Sequence, residues 1–150
     1  MNSLSFKTNF GWISAFEEKN KIVKVTFGKC RNKSVSINLK KLKLSICNYF
    51  KKKNKSLKFN YIIEGNKIQK KVWDELAKIK LGNTKSYGEI AKKYNISPRH
   101  IGKICSQNKI VLAIPCHRVI RSDGSMGGFS SVGGIYLKQK LLDFESSWKQ

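Results

Sequence analysis

Residues 86–105 read Ser86-Tyr87-Gly88-Glu89-Ile90-Ala91-Lys92-Lys93-Tyr94-Asn95-Ile96-Ser97-Pro98-Arg99-His100-Ile101-Gly102-Lys103-Ile104-Cys105. Ser86, with Glu89 three residues on, forms a capping box that starts a short helix running through Tyr94. Asn95 breaks that helix. Ser97 caps a second one, and Pro98 takes its first position, where the missing N–H has no helical partner to lose. Two short helices on a tight connection are the outline of a helix-turn-helix. Arg99 lies in the first turn of the second helix, where the helix dipole disfavours a cation, so its side chain must find a partner elsewhere. Gly102 costs a helix interior about 1 kcal/mol relative to alanine, which implies a close approach at that position. A nucleic-acid backbone or the first helix would supply that approach equally well.

Downstream lies Ile114-Pro115-Cys116-His117-Arg118-Val119-Ile120. A thiol reacts as thiolate, and a free cysteine with pKa about 8.5 is mostly protonated at neutral pH. A neighbouring base or cation is the usual remedy, and His117 and Arg118 offer both. Adjacency alone leaves a second reading open, because successive side chains of an extended strand point opposite ways.

Around these segments the pattern is mostly helical. Ile68, Val72, Leu76 and Ile79 mark one helix ended by Leu81-Gly82-Asn83. A last helix spans about residues 135–148, with Leu137, Leu141, Phe144 and Trp148 as its buried stripe and Leu142 widening it. Glu145 falls at the edge of that face, and a carboxylate there must be paired. Its partner is either one of the many cations or the His117 imidazole.

The first 65 residues read as a small α+β unit. Apolar runs at 12–16 and 22–27 flank Glu17-Glu18-Lys19-Asn20-Lys21 as a hairpin, with Val23, Val25 and Phe27 on one face. Leu39, Leu42, Ile46 and Phe50 recur at helical spacing, and Leu57, Phe59, Tyr61 and Ile63 alternate as a returning strand. Nothing in this part groups reactive side chains, so it reads as scaffold. The expected division is 1–65 and 66–150.

A chain of 150 residues buries roughly 68–70% of its unfolded surface, enough for a core without metal or disulfide support. The 31 Lys and Arg against 9 acids give a net charge of +22, which favours a polyanionic partner, nucleic acid foremost. Biased coding is the competing source of that charge. No 18-residue apolar run and no signal pattern occur, so a soluble intracellular protein without membrane association is expected, cytoplasmic, or nuclear in a eukaryote. Cys30, Cys47, Cys105 and Cys116 show no CxxC spacing and only two histidines are present, which argues for reduced thiols and against a metal site.

Val72-Trp73, Ser86-Tyr87-Gly88-Glu89-Ile90-Ala91, Asn108, the Pro115-Cys116-His117-Arg118-Val119 pentapeptide, Gly124, Gly127-Gly128-Phe129-Ser130, and Lys138 with Leu141-Leu142 and Glu145 stand in a familiar order. By them the chain resembles the O6-alkylguanine-DNA alkyltransferases, or methylated-DNA–protein-cysteine methyltransferases, strongly from about Lys67 to Glu145. Before that, Gly11-Trp12-Ile13 and Val25-Thr26-Phe27-Gly28 look like the family's first hairpin. The resemblance implies a ribonuclease-H-like N-terminal α/β subdomain and a mostly helical, winged helix-turn-helix-like C-terminal domain. It implies direct, irreversible transfer of an alkyl group from O6-alkylguanine, or O4-methylthymine, in double-stranded DNA to Cys116. His117 would be the base through a water, Glu145 its orienter, and Tyr87 the donor to the departing guanine N3 and an aid to nucleotide rotation. Carbonyls of Cys116 and Val119 would receive the exocyclic amine and the Ser130 amide would meet O6. Phe129 stands where many relatives have tyrosine, and Asn108 would bridge the turn to the active segment. Arg99 would be the finger that fills the vacated stack, with Tyr87, Gly102, Lys103 and Arg118 completing the DNA-binding set. No cofactor and no obligate protein partner are implied, and a monomer is expected.

Lys109 and Val111 occupy places where the family has prolines, which implies a looser loop beside the pocket, and residues 130–134 form a longer segment than in relatives. A non-catalytic lesion-binding or transcription-regulating module is the alternative, but such a binder has no need of Cys116, His117 and Glu145 together. A cysteine hydrolase explains the thiol and imidazole but neither Arg99 nor the charge.

Overall fold

The computed structural model describes residues 1–127 and 134–149. They pack as two units, Met1–Ile63 with Lys109–Ala113, and Glu64–Asn108 with Ile114–Gln150. The first crossing falls two residues before the expected division at 65, and the return of Lys109–Ala113 to the first unit is a feature the sequence reading did not contain.

The first unit is a three-stranded antiparallel sheet, β1 (Asn2–Thr8), β2 (Gly11–Glu18) and β3 (Lys21–Phe27), in that order. Lys19 and Asn20, both at positive φ (50° and 63°), join β2 to β3, the two-residue turn whose twist matches the flanking strands. The register slips between Phe16 and Glu17, so that Phe16 faces Lys24 and Glu17 faces Ile22. Val23 is therefore the extra residue of a bulge. Ile22, Val25 and Phe27 are buried and Val23 only half so, which corrects the expected Val23–Val25–Phe27 face. β1 went unread although Ser3-Leu4-Ser5-Phe6 alternates at strand period, and it is buried on both faces over those residues. Ser3 Oγ donates to the Arg31 carbonyl and Ser5 N–H to Asn32 Oδ1.

Helix α1 (Ile37–Phe50) starts at Ser36, whose side chain accepts from Leu39 N–H. It buries Leu39, Leu42, Ile46, Tyr49 and Phe50, each large side chain contributing about 1.5–3 kcal/mol. The expected returning strand at 57–63 is reduced to one bridge between Ile22 and Tyr61, and Ile62 is exposed. Leu57, Phe59, Tyr61 and Ile63 keep the expected alternation as half-buried positions between exposed neighbours, without a continuous ladder to a partner strand. Val25 instead takes its edge partner from far along the chain. Its N–H donates to the Lys109 carbonyl and its carbonyl accepts from Val111 N–H, at 2.8 and 3.2 Å. A proline at 111 could not make the second bond, so the departure from the family pattern ties this loop down rather than loosening it.

The second unit begins with α2 (Lys67–Ala77), opened by a reciprocal box in which Asn66 and Gln69 satisfy each other's backbone N–H. Strand β4 (Lys85–Ser86) precedes α3 (Tyr87–Tyr94) and α4 (Pro98–Ser106). Ser86 accepts from Glu89 N–H and Ser97 from His100 N–H. Asn95 ends α3 in the left-handed region at φ 55°. The Ser86 half of the expected capping box is present; the reciprocal arrangement belongs to α2. Trp73 Nε1–H donates to the Ile104 carbonyl, and buried Glu75 is paired with Lys93 at 2.7 Å, so α2 is fastened to both helices of the pair. A single 3-10 turn (Cys116–Arg118) leads into β5 (Val119–Ile120), which runs parallel to β4 with Ser86 opposite Ile120. Helix α5 (Gly134–Lys149) closes the unit. Its buried face is Leu137, Lys138, Leu141 and Glu145, while Leu142, Phe144 and Trp148 are half-exposed. The expected stripe through 144 and 148 is thus rotated, and two charged residues occupy the inner face. Among the described residues no helix is long and apolar enough to cross a membrane.

Candidate active site

Backbone pairing of β4 with β5 sets the start of α3 beside the turn that carries Cys116. Cys116 is a free thiol, 5% exposed. Asn108, just past α4, donates its Nδ2 hydrogens to the Ile114 carbonyl at 2.7 Å and to Cys116 Sγ at 3.3 Å. One side chain thereby fixes the loop and the sulfur it leads to. Burial pushes the Cys116 thiol up, against the opposing pull of Asn108, Lys138 and the backbone N–H groups of Cys116 and His117. Burial therefore favours the neutral thiol in the resting protein.

His117 and Glu145 are each 1% exposed, and His117 Nε2 lies 2.9 Å from Glu145 Oε2. The carboxylate can only accept, so Nε2 carries the hydrogen and Nδ1 is the ring's acceptor. Burial lowers the His117 pKa against the raising effect of Glu145, aided by Arg118 and Lys138, which keeps the imidazole neutral. Glu145 feels burial in the other direction, yet the hydrogen bonds from Arg118 and the His117 interaction outweigh it and hold its carboxyl well below the usual range. Both readings of Glu145 hold together, since it pairs with a cation and with the imidazole.

The cation is Arg118. Its Nε and Nη2 donate to the two Glu145 oxygens, both at 2.8 Å, and Nη1 donates to the Ile79 carbonyl at 2.6 Å. With its fork filled and its surface buried, Arg118 is an internal clamp and not the DNA contact it was expected to be. The 3-10 turn allows this, because residues 117 and 118 both turn inward where an extended strand would have parted them.

Tyr87, the first residue of α3, accepts at its hydroxyl from Lys138 Nζ at 3.1 Å. A Cβ at Gly127 would collide with that hydroxyl and its ring, so only glycine allows the approach. Burial, with Cys105 and Cys116 adding to it and Arg121 opposing, pushes the phenol up to about 12. Val119 is fully buried, and its N–H donates to the Cys116 carbonyl. Arg99 and Lys103 are exposed on α4, and among the described residues neither side chain has an intramolecular partner. A Cβ at Gly102 would meet only Tyr87 Cε1, at 3.9 Å, so packing against α3 does not require glycine there. Phe129 and Ser130 lie outside the described residues. Lys138 was noted in the sequence only as part of a familiar spacing; its position three residues before Leu141 and seven before Glu145, all on one helix face, was the available signal.

Fold and site together comprise a pair of short helices and a turn that carries a buried free thiol and an imidazole paired with a buried carboxylate. Residues 67–147 match the family model described as 6-O-methylguanine DNA methyltransferase, DNA binding domain. A methylated-DNA–protein-cysteine methyltransferase of Metallosphaera sedula is 36% identical over 148 residues, covering 95% of this chain and 92% of that protein. The structure of an O6-methylguanine DNA methyltransferase from Methanococcus jannaschii is similar at TM-score 0.70 and 29% identity, covering 95% and 93% of the two chains. The crystal structure of Mycobacterium tuberculosis OGT in complex with DNA shares the fold at TM-score 0.86 and 24% identity, covering 99% and 94%. The chain belongs to the methylated-DNA–protein-cysteine methyltransferase family.

Proposed function

We propose that this chain repairs duplex DNA by moving the alkyl group of O6-alkylguanine onto Cys116, once per protein molecule. The observation that carries the reading is the buried Cys116 thiol, held by Asn108 and adjoining the His117–Glu145 pair. His117 Nδ1 takes the thiol proton through a water, and Glu145 stabilises the imidazolium. The sulfur attacks the alkyl carbon in line with its bond to O6, a C–S bond forms as the C–O bond breaks, and guanine departs with a proton from Tyr87. The product is a neutral thioether with no comparable nucleophile to reverse it, so the protein is consumed. Because the resting thiol is neutral, its proton leaves as part of the reaction, once a substrate is in place.

The finer parts of the reading concern DNA. Exposed Arg99, without a side-chain partner among the described residues, suits the finger that occupies the vacated stack, and the open space at Gly102 with neighbouring Lys103 suits close passage of a nucleic-acid backbone. Flipping the nucleotide costs a few kcal/mol, least for a mispaired base. The Cys116 carbonyl, which already accepts from Val119 N–H, keeps a second lone pair for the guanine amine, joined by the Val119 carbonyl and the Ser130 amide. A winged form of the helix-turn-helix is supported by β4 and β5 beside α3 and α4, and a ribonuclease-H-like first unit by its antiparallel sheet carrying α1. Incubation with duplex O6-methylguanine, followed by peptide mass mapping, is expected to place one methyl group on the peptide holding Cys116. Methylation of Cys30, Cys47 or Cys105 instead, or of no cysteine, would refute the assignment.

A further inference from the structure

The positive charge is divided unevenly between the two units. The first holds 16 Lys and Arg against Glu17 and Glu18, a net +14, while the unit with the helix pair and the reactive turn holds 15 against 7 acids, a net +8. Between Lys19 and Ile63 the chain has 14 Lys and Arg and no acid at all. Biased coding acts on the whole chain and leaves that contrast unexplained. Helix stability does not explain it either. Lys40, Lys41 and Lys43 fall in the first half of α1, where the dipole disfavours cations, and Lys40 and Lys43 are like charges three residues apart. All three are exposed, as are Lys51, Lys52, Lys53, Lys55 and Lys58. The later lysines are held to the helix. Lys51 and Lys53 N–H donate to the Cys47 and Asn48 carbonyls, and Lys58 N–H donates to Ser45 Oγ. Lys41 and Lys58 line one hollow together with Asn38 and Asn60, so cations of the helix and of the segment after it face a common space.

We propose that the outer face of α1, continued by residues 51–58, is a second contact for duplex DNA, one that grips phosphates without regard to sequence or damage. It belongs to a different unit from Arg99 and Lys103 and depends on none of the transfer chemistry. A lysine ammonium is a point charge on a flexible stem, suited to phosphates and indifferent to base edges. Each phosphate it neutralises releases a counterion, and that release drives binding to any sequence. An anionic membrane is the other polyanion such a face could meet. A helix lying in a membrane surface must bury its apolar side in lipid, but α1 keeps Leu39, Leu42, Ile46, Tyr49 and Phe50 inside the protein. Ile37 and Leu44 are its exposed large apolar side chains, too little surface for an anchor. A contact of this kind holds the protein on undamaged DNA between encounters with a lesion.

Two sets of substitutions with equal loss of charge separate a contact from composition. In the first, Lys40→Gln, Lys43→Gln, Lys51→Gln and Lys53→Gln are combined; in the second, Lys7→Gln, Lys21→Gln, Lys24→Gln and Lys33→Gln. Affinity for undamaged duplex is measured across salt. The log–log slope is expected to become shallower by about 3 in the first set and by less than about 1 in the second, and affinity at about 100 mM salt to fall at least roughly tenfold in the first alone. Equal losses in the two sets, or no loss in the first, overturn the proposal. A second measurement uses the unaltered protein, so that it decides even where a fourfold variant fails to fold. Acetylation by an N-hydroxysuccinimide ester, mapped by mass with and without saturating duplex, is expected to show Lys40, Lys43, Lys51 and Lys53 protected by DNA; lysines acetylated equally in both samples overturn it. Binding to phosphatidylserine vesicles that is lost in the first set, with the DNA slope unchanged, would give the face to lipid and likewise overturn it. All of these readouts use undamaged DNA or none, so they stand apart from the assignment of Cys116 as acceptor.

Discussion

Glu145 has two tasks at one place: it neutralises Arg118 through both oxygens and fixes the His117 tautomer through one of them. Replacing either partner would leave a buried group uncompensated, so the clamp and the base are one network. The network sets the pH behaviour of the reaction. His117 is held below its ordinary 6.5 and Cys116 above its ordinary 8.5, so the neutral thiol with the neutral imidazole is the prevailing state between them. A proton passed inside that pair does not change the total bound, and the transfer rate should be flat between about pH 6.5 and 8.5. It should fall only below that window, as His117 takes up a proton. In His117→Asn the thiol must ionise to solvent, and the rate should climb about tenfold per pH unit. Single-turnover rates across pH check both; a tenfold rise per unit in the wild-type protein would remove His117 from the role of base.

The helix pair α3–α4 was the most legible part of the chain, because its caps are local chemistry. Ser86, Asn95, Ser97 and Pro98 do what short-range hydrogen bonding and fixed φ require of them, whatever packs around them. Cys116, His117 and Glu145 were also legible as a set, though only as residue types. What escaped the sequence depends on long-range geometry. The bulge at Val23, the inward turn of Arg118, the rotated face of α5 and the burial of Lys138 all follow from which element lies opposite, which periodicity does not contain. Gly102 joins both kinds of information. Its sequence signal left two explanations, and the room around it removes packing against α3 as the reason for glycine. Gly102→Ala is therefore expected to stabilise the fold by about 0.5–1 kcal/mol in urea denaturation, while weakening duplex affinity. Unchanged affinity would mean that no backbone passes close to α4 at this point.

At the scale of the whole chain, charge decides the encounter with DNA. A net charge of +22 far exceeds what solubility needs, and each lysine set against a phosphate releases a counterion. Duplex affinity is expected to fall roughly 10³-fold between 50 and 200 mM salt, a loss that a titration monitored by fluorescence anisotropy would read. A shallow log–log slope would mean that most of the lysines, including the run at Lys51, Lys52 and Lys53, reflect composition and not contact. The return of Lys109–Ala113 to the first unit has a consequence for how such a protein can change over generations. Neither unit is an unbroken length of chain, so no single cut in a gene delivers one without a piece of the other. A transplanted second unit would carry Ile110, Val111 and Leu112 away from the Val25 rungs that hold them, three greasy side chains stranded between Asn108 and the reactive turn.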